Sequence, residues 1–267
     1  MSEPLIARFY FGSRRLITAL TGLVARTIRV LNMVFTGVWL GILSREQLHS
    51  IGERYYRGER GYRTDDYNRT GLFDWERRAV EQHFAGRKRL LVMAVGGGRE
   101  VLALRKLGFD VDGFESDPDL VRFANGFLEK EGLAADIRWT PWDHGPDTDR
   151  TYDGVIVGWG AYMLIRGRDR RVRFLRELRD RVAPGAPLLL SFYTTRKDTR
   201  YFRGIAWIGR RVARILGRDP VQVGDCLAPN YTHFFTRERL EAEMTEGGFE
   251  PLAFDHLEYG HGVGRAV

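Results

Sequence analysis

From residue 89 onward the chain alternates short apolar runs with longer amphipathic stretches. No other feature of its 267 residues restricts the fold as tightly. Apolar runs at 90–95, 110–115, 137–139, 152–157 and 187–193 read as strands, and runs this continuously apolar suit a parallel sheet buried on both faces. Between them lie helical stretches. One spans 100–107 and is closed by Gly108. Another opens on the Asp117-Pro118 pair, an N-cap followed by proline at the first helical position, and runs to Lys130. A third spans 169–182 and stops at Pro184-Gly185. Thr236 caps a further helix to residue 246, Gly247-Gly248 ends it, and 249–258 and 262–267 close as strands. Repeated strand–helix units imply right-handed crossovers, so the expected fold is α/β with a doubly wound, mostly parallel seven-stranded sheet.

Four helical segments stand outside this alternation. Over 14–43, Ile17, Leu20, Val24, Ile28, Leu31, Phe35, Val38 and Ile42 recur at spacings of three or four, a helical period. Ser44 with Gln47 three residues on is a capping box, which starts a second helix to about residue 56. Residues 57–71 read as an ordered, aromatic loop, and a helix follows at 74–84. Within 196–218, Tyr201, Ile205, Ile208, Val212 and Ile215 form an apolar stripe, with Arg203, Arg210, Arg211 and Arg214 off it. The expected organisation is an N-terminal helical extension and lid at 1–70, and a core at 71–267 carrying a helical cap insertion at about 196–230. The 196–218 stripe is ranked first as a cap, second as a contact for an anionic membrane surface, and last as a plain solvated helix. No run of 18 uncharged apolar residues exists, so no transmembrane helix is expected. No secretory signal is legible. The single Cys226 points to a reducing, cytoplasmic setting, with peripheral membrane contact kept open.

The net charge of +7 is local. Residues 196–218 hold eight basic groups and one acid, and the rest balances at 34 of each. Only 4 of the 42 basic residues are lysine, a bias that reads as base composition of the genome rather than phosphate recognition, so no nucleic-acid partner is expected. Residues 1–45 are also basic, with six arginines and one acid.

The chemistry begins at Gly96-Gly97-Gly98, which turns the first strand into a helix and lets a ligand approach backbone without a Cβ in the way. Glu115 ends the next strand 19 residues beyond Gly96, where an acid can accept two hydrogen bonds from a ribose diol. With these features the sequence resembles the class I S-adenosylmethionine-dependent methyltransferases. The string from Leu107 to Asp117 resembles that family's second motif, Tyr152-Asp153-Gly154-Val155-Ile156-Val157 its fourth strand, and Phe235-Thr236-Arg237 through Gly247-Gly248-Phe249 its closing segment. A dinucleotide dehydrogenase wants a small residue where Val101 stands, and so ranks behind. Two departures from the family stand out: Ala94 where an Asp is frequent, and Glu100 where a glycine is.

The resemblance implies S-adenosyl-L-methionine as cofactor. It places Gly96 and Gly98 in the cofactor-binding turn, Glu115 on the ribose with Ser116 near it, and backbone carbonyls near Ala94 and Gly158 on the methionine amine. Asp143 and Trp142 fall at the adenine, and Tyr56 and Tyr62 in a lid. Trp159 and Tyr162 are expected to face the transferred methyl, and His233 is the expected base. No metal-ligand spacing is present, so no metal is expected. The expected acceptor is a small molecule, methylated on O, N or S, with secondary metabolites and lipid-like compounds in view. Two alternatives stay open, a non-catalytic cofactor-binding protein of the same fold and a protein or RNA methyltransferase, and a homodimer is kept open as the assembly. The Asn/Asp-Pro-Pro-aromatic motif of many nucleic-acid methylators is absent from the chain.

Overall fold

In the computed structural model, which describes residues 5–195 and 199–267, the strands in chain order are β1 (Arg89–Met93), β2 (Asp110–Glu115), β3 (Arg138–Trp139), β4 (Gly154–Val157), β5 (Pro187–Ser191), β6 (Asp225–Leu227), β7 (Tyr231–His233), β8 (Phe249–Asp255) and β9 (His261–Ala266). Seven of them build one sheet in the order β3-β2-β1-β4-β5-β9-β8. The first five run parallel, and β9 lies antiparallel between β5 and β8. The expected doubly wound sheet is therefore present. β6 and β7 pair as a separate two-stranded hairpin that the sequence reading lacked.

Strand alternation explains why the apolar runs are continuous. Leu91, Met93, Val155, Val157, Leu188 and Leu190 face one helical layer. Leu90, Val92, Ile156 and Leu189 face the other. Both faces are dry at these positions, which is why each of them is apolar. The helices are α1 (Leu5–Ile42), α2 (Arg45–Gly58), α3 (Asp65–Arg69), α4 (Asp74–His83), α5 (Arg99–Lys106), α6 (Pro118–Lys130), α7 (Arg168–Arg179), α8 (Arg200–Ile215) and α9 (Arg237–Glu246). α2 opens on the expected capping box: Ser44 Oγ accepts from Gln47 N–H, and Gln47 Oε1 accepts from Ser44 N–H at 2.8 Å. The stretch read as loop at 57–71 instead holds a 3-10 turn at Arg60–Arg63 and α3, whose first turn Thr64 caps.

The chain divides into two compact units, and the boundary is not the one expected at residue 70. One unit is 44–198 with 224–267, and holds the sheet and the expected lid. The other is 1–43 with 199–223, built from α1 and α8. Their pairing is long-range and rests on small residues, which is why helical periodicity alone did not reveal it. A Cβ on Gly37 would lie 2.9 Å from Ile205 O and from Ile208 Cβ, and one on Gly41 would lie 2.6 Å from Val212 Cβ. A Cβ on Gly204 would lie 2.2 Å from Met33 Sδ. Glycines at these places let two backbones come close. The amphipathic stretch expected from 196 begins at Thr199, the N-cap of α8; residues 196–198 lie outside the described residues.

One observation bears on the expected absence of a membrane-length apolar helix. The segment Phe9–Ile42 of α1 is long and apolar enough to cross a membrane by length and composition. Requiring an uncharged run of 18 missed it, because Arg14, Arg15, Arg26 and Arg29 interrupt an otherwise uncharged segment.

Candidate cofactor pocket

The sheet order reverses between β1 and β4, which connect outward in opposite directions. In open α/β sheets a crevice forms at that place, beyond the carboxyl ends of the strands. Here it is a cavity of about 200 Å³. Ala94, Gly96 and Gly97 form its floor after β1, Glu115 and Ser116 line it after β2, and Trp159 lines it after β4. A smaller cavity adjoins it and shares Ala94, Ser116, Trp142, Ala161 and Ile165.

The turn after β1 is conformationally demanding. Ala94 has φ 55° and is, among the described residues, the one non-glycine in the left-handed region. Such a conformation costs on the order of 1 kcal/mol and tends to persist where a site requires it. Gly97 is needed for a different reason: a Cβ there would lie 2.1 Å from Tyr62 O and 2.5 Å from Asn68 Nδ2. The backbone of the segment expected as a lid thus passes directly against the glycine turn. Arg63 ties the same segment down, donating to Tyr56 O and, at 2.9 Å, to Asp117 Oδ2 at the start of α6.

Glu115 is buried, and its carboxylate organises the turn. Oε1 accepts from the N–H groups of Ser116 (2.7 Å) and Asp117 (2.9 Å) and from Ser116 Oγ, whereas Oε2 accepts from Gly96 N–H alone at 2.8 Å. Oε2 therefore keeps acceptor capacity on the cavity side. Burial pushes the Glu115 carboxyl above its ordinary range, and the bonds from Asp117, Gly96 and Ser116 pull against that.

Next to it stands an ionic cluster that the sequence reading missed. Arg99 is 2% exposed, forks onto both oxygens of Glu76 at 2.6 and 2.7 Å, and donates to Glu100 Oε1 at 2.6 Å. Burial works against the Arg99 charge, but Glu100 and Glu76 outweigh it and hold the guanidinium charged. Desolvation pushes Glu76 upward. Two carboxylates on one guanidinium leave a net negative charge, and Glu100 lies on the cavity wall. Asn68, fully buried on the same wall, donates Nδ2 to Tyr62 O and Thr64 O while its Oδ1 has no partner.

Of the residues expected in the site, Ala94, Gly96, Glu115, Ser116, Trp142, Trp159, Tyr56 and Tyr62 line the main cavity. Five others do not. Gly98, at φ 101°, faces Ala124 and Phe127 of α6. Gly158 sits so close to Ala94 that a Cβ would lie 2.2 Å from its carbonyl oxygen, which makes it a packing requirement. Asp143 turns its carboxylate to Arg173 at 3.0 Å. Tyr162 is fully buried and donates to Glu243 Oε2 at 2.8 Å, and Arg171 holds the same carboxylate, so it belongs to the core. His233 is paired with Asp225 at 2.7 Å inside the β6–β7 hairpin, which turns its ring from the cavity. Burial lowers its pKa, with Arg171 adding to the effect against Asp225.

Of the six histidines, His49 is the one on the main cavity wall. Its ring stacks on Trp142 at 4.7 Å, and Nε2 lies 3.4 Å from Glu53 one helical turn on. Tyr56, Tyr62 and Tyr67 form a chain of ring contacts along the same side. Burial pushes the Tyr56 hydroxyl up to about 12 and raises Tyr62 and Tyr67 as well, so all three stay protonated at neutral pH and each keeps an O–H to donate.

No family model and no curated protein sequence matches the chain. Solved structures do. A methyltransferase dependent on S-adenosylmethionine from Methanosarcina mazei is 18% identical with a TM-score of 0.59, covering 74% of this chain and 99% of its own. Another from Clostridium acetobutylicum is 10% identical with a TM-score of 0.57, covering 79% and 98%. A sugar N-methyltransferase from Streptoalloteichus is 17% identical with a TM-score of 0.53, covering 72% and 85%. The fold is that of the class I methyltransferases. Within that fold the requirement for a small residue between helix and sheet is met from the strand side. Gly113 of β2 faces Val101 of α5, where a Cβ would lie 3.3 Å from Val101 Cγ2. The bulky residue that disfavoured a dinucleotide site is thereby accommodated.

Proposed function

We propose that this protein binds S-adenosyl-L-methionine and catalyses transfer of its methyl group to an O, N or S atom of a small-molecule acceptor. Glu115 carries the reading: a buried acid at the end of β2, bonded to the glycine turn, with one oxygen left to accept at the cavity of a methyltransferase fold. The cofactor would supply a methyl group on a positively charged sulfur. Glu115 Oε2 and Ser116 would hold its ribose. Glu100 and the unpartnered Asn68 Oδ1 would hold its ammonium group, a role Ala94 has no side chain to fill. Trp142, which lines both cavities, would flank the adenine in the smaller one.

The remaining task of the site is to align the acceptor and exclude water, a proximity effect. The protonated tyrosines would orient acceptor lone pairs by donating to them. Where the acceptor must lose a proton, His49 is assigned as the group that takes it, in place of His233, because it lies on the wall and is oriented by Glu53 and Trp142. The proposed setting is the cytoplasm. Incubation with methyl-labelled cofactor tests the acceptor class, using small hydroxy, amino and thiol compounds beside total RNA and a protein lysate. Label is expected in the small compounds. Label confined to RNA or protein would overturn the acceptor class, and cofactor binding without label anywhere would favour a non-catalytic binder.

A further inference from the structure

The unit built from α1 and α8 has a charge and polarity pattern unlike the rest of the chain. Its residues, 1–43 and 199–223, hold eleven arginines against two acids, and the remainder holds 31 basic groups against 33 acidic ones. α1 spans 38 residues, about 57 Å at the helical rise. Advancing about 100° per residue, Arg14, Arg15, Arg26 and Arg29 fall within an arc of about 120°. No acid lies anywhere in α1. Phe9, Ile17, Leu20, Val24, Leu31 and Phe35 fall on the opposite side, and every one is more than half exposed. Small residues join α8 to the C-terminal part of α1, from Met33 to Gly41. Over residues 9–32 no side chain of α1 is buried.

A helix with an apolar face this long, left uncovered, needs a partner that is apolar in depth and anionic at its rim. A second copy supplies the first property but brings eleven more arginines and no excess of acid. An anionic bilayer supplies both, because the apolar face sinks to the acyl boundary while the arginines opposite reach headgroup phosphates. Crossing the bilayer would place Arg26 and Arg29 within the hydrocarbon, so the segregation of charge favours lying in the plane. We infer that α1 is an in-plane amphipathic anchor that binds this protein to anionic membrane surfaces. The inference is independent of the proposed methyl transfer.

The test is co-sedimentation of the full-length protein with vesicles of phosphatidylcholine alone and with one third phosphatidylglycerol, at low and high salt. Binding is expected to the anionic vesicles only, and to weaken strongly with salt. Each Arg→Gln change at 14, 15, 26 and 29 should weaken apparent affinity by about fivefold. The double change Leu20→Glu with Val24→Glu should abolish binding while the thermal unfolding of the sheet unit stays as in the parent. No binding to anionic vesicles at low salt would overturn the proposal, and a dimer in the same sample would assign the face to a second copy. Association with expressing-cell membranes that survives a carbonate wash would show a spanning helix and overturn it too, as would unchanged binding by the double variant.

Discussion

Glu115 does two things at once, and its substitution separates them. As acceptor from Gly96, Ser116 and Asp117 it organises the turn; as acceptor on the cavity wall it is proposed to hold a ribose. Glu115→Ala should lower cofactor affinity by about 1.5–3 kcal/mol in calorimetric titration, the range for hydrogen bonds to a charged group. The two effects have opposite pH dependence. Because burial raises the carboxyl above 4.5, cofactor affinity should be full above the raised value and fall as acidification protonates the acceptor. Folding stability should instead decline as pH rises through that window, since the native chain holds this proton more tightly than the unfolded one. Glu100 makes a sharper prediction. Glu100→Gln leaves the Arg99–Glu76 fork in place, so it should weaken binding of the intact cofactor by about tenfold, a charge-assisted bond's worth. It should leave methylthioadenosine, which lacks the ammonium, unaffected. Equal losses for both ligands would remove Glu100 from the ammonium site. His49 and Asn68 were not legible as site residues, because nothing local in sequence says which wall α2 or α3 will face.

At the scale of elements, punctuation was readable and pairing was not. Asp117-Pro118, Ser44 with Gln47, and Thr236 each open a helix where their chemistry says one should start. Thr64 followed by two acids signals α3 in the same way, but a helix of five residues has too few positions to show a period. The strands β6 and β7, three residues each, are equally short of signal. The seating of the lid on the glycine turn gives a direct prediction. Gly97→Ala must push the Tyr62 carbonyl away, so stability to urea should fall by about 1–3 kcal/mol and proteolysis within 57–64 should quicken. Unchanged proteolysis would mean the lid does not lie on the turn. Asp153 tests strand registration. Its Oδ2 accepts from Lys88 and Arg89 N–H at 3.1 and 3.0 Å, and the bond from Arg89 chiefly lowers its pKa below 3.8. The depressed value means its contribution is present at neutral pH and lost on acidification. The penalty of Asp153→Asn should therefore shrink as pH falls below 3.8.

For the whole molecule, the order of strands and helices carried the fold, because each crossover is local and both faces of the sheet demand apolar runs. The two-unit division was hidden, since the join between α1 and α8 depends on Gly37, Gly41 and Gly204 meeting across more than 160 residues. The charge follows that division, with the arginine excess in the α1–α8 unit and near balance in the sheet unit. The proposed function turns on whether the crevice between β1 and β4 takes a sulfonium cofactor or a dinucleotide. Ligand-induced thermal stabilisation measures this directly. S-adenosylmethionine or its demethylated product, at about a hundred times its dissociation constant, should add about 2.7 kcal/mol and raise the melting temperature by several degrees, with no change on adding NAD. Stabilisation by NAD with none by S-adenosylmethionine would contradict the account.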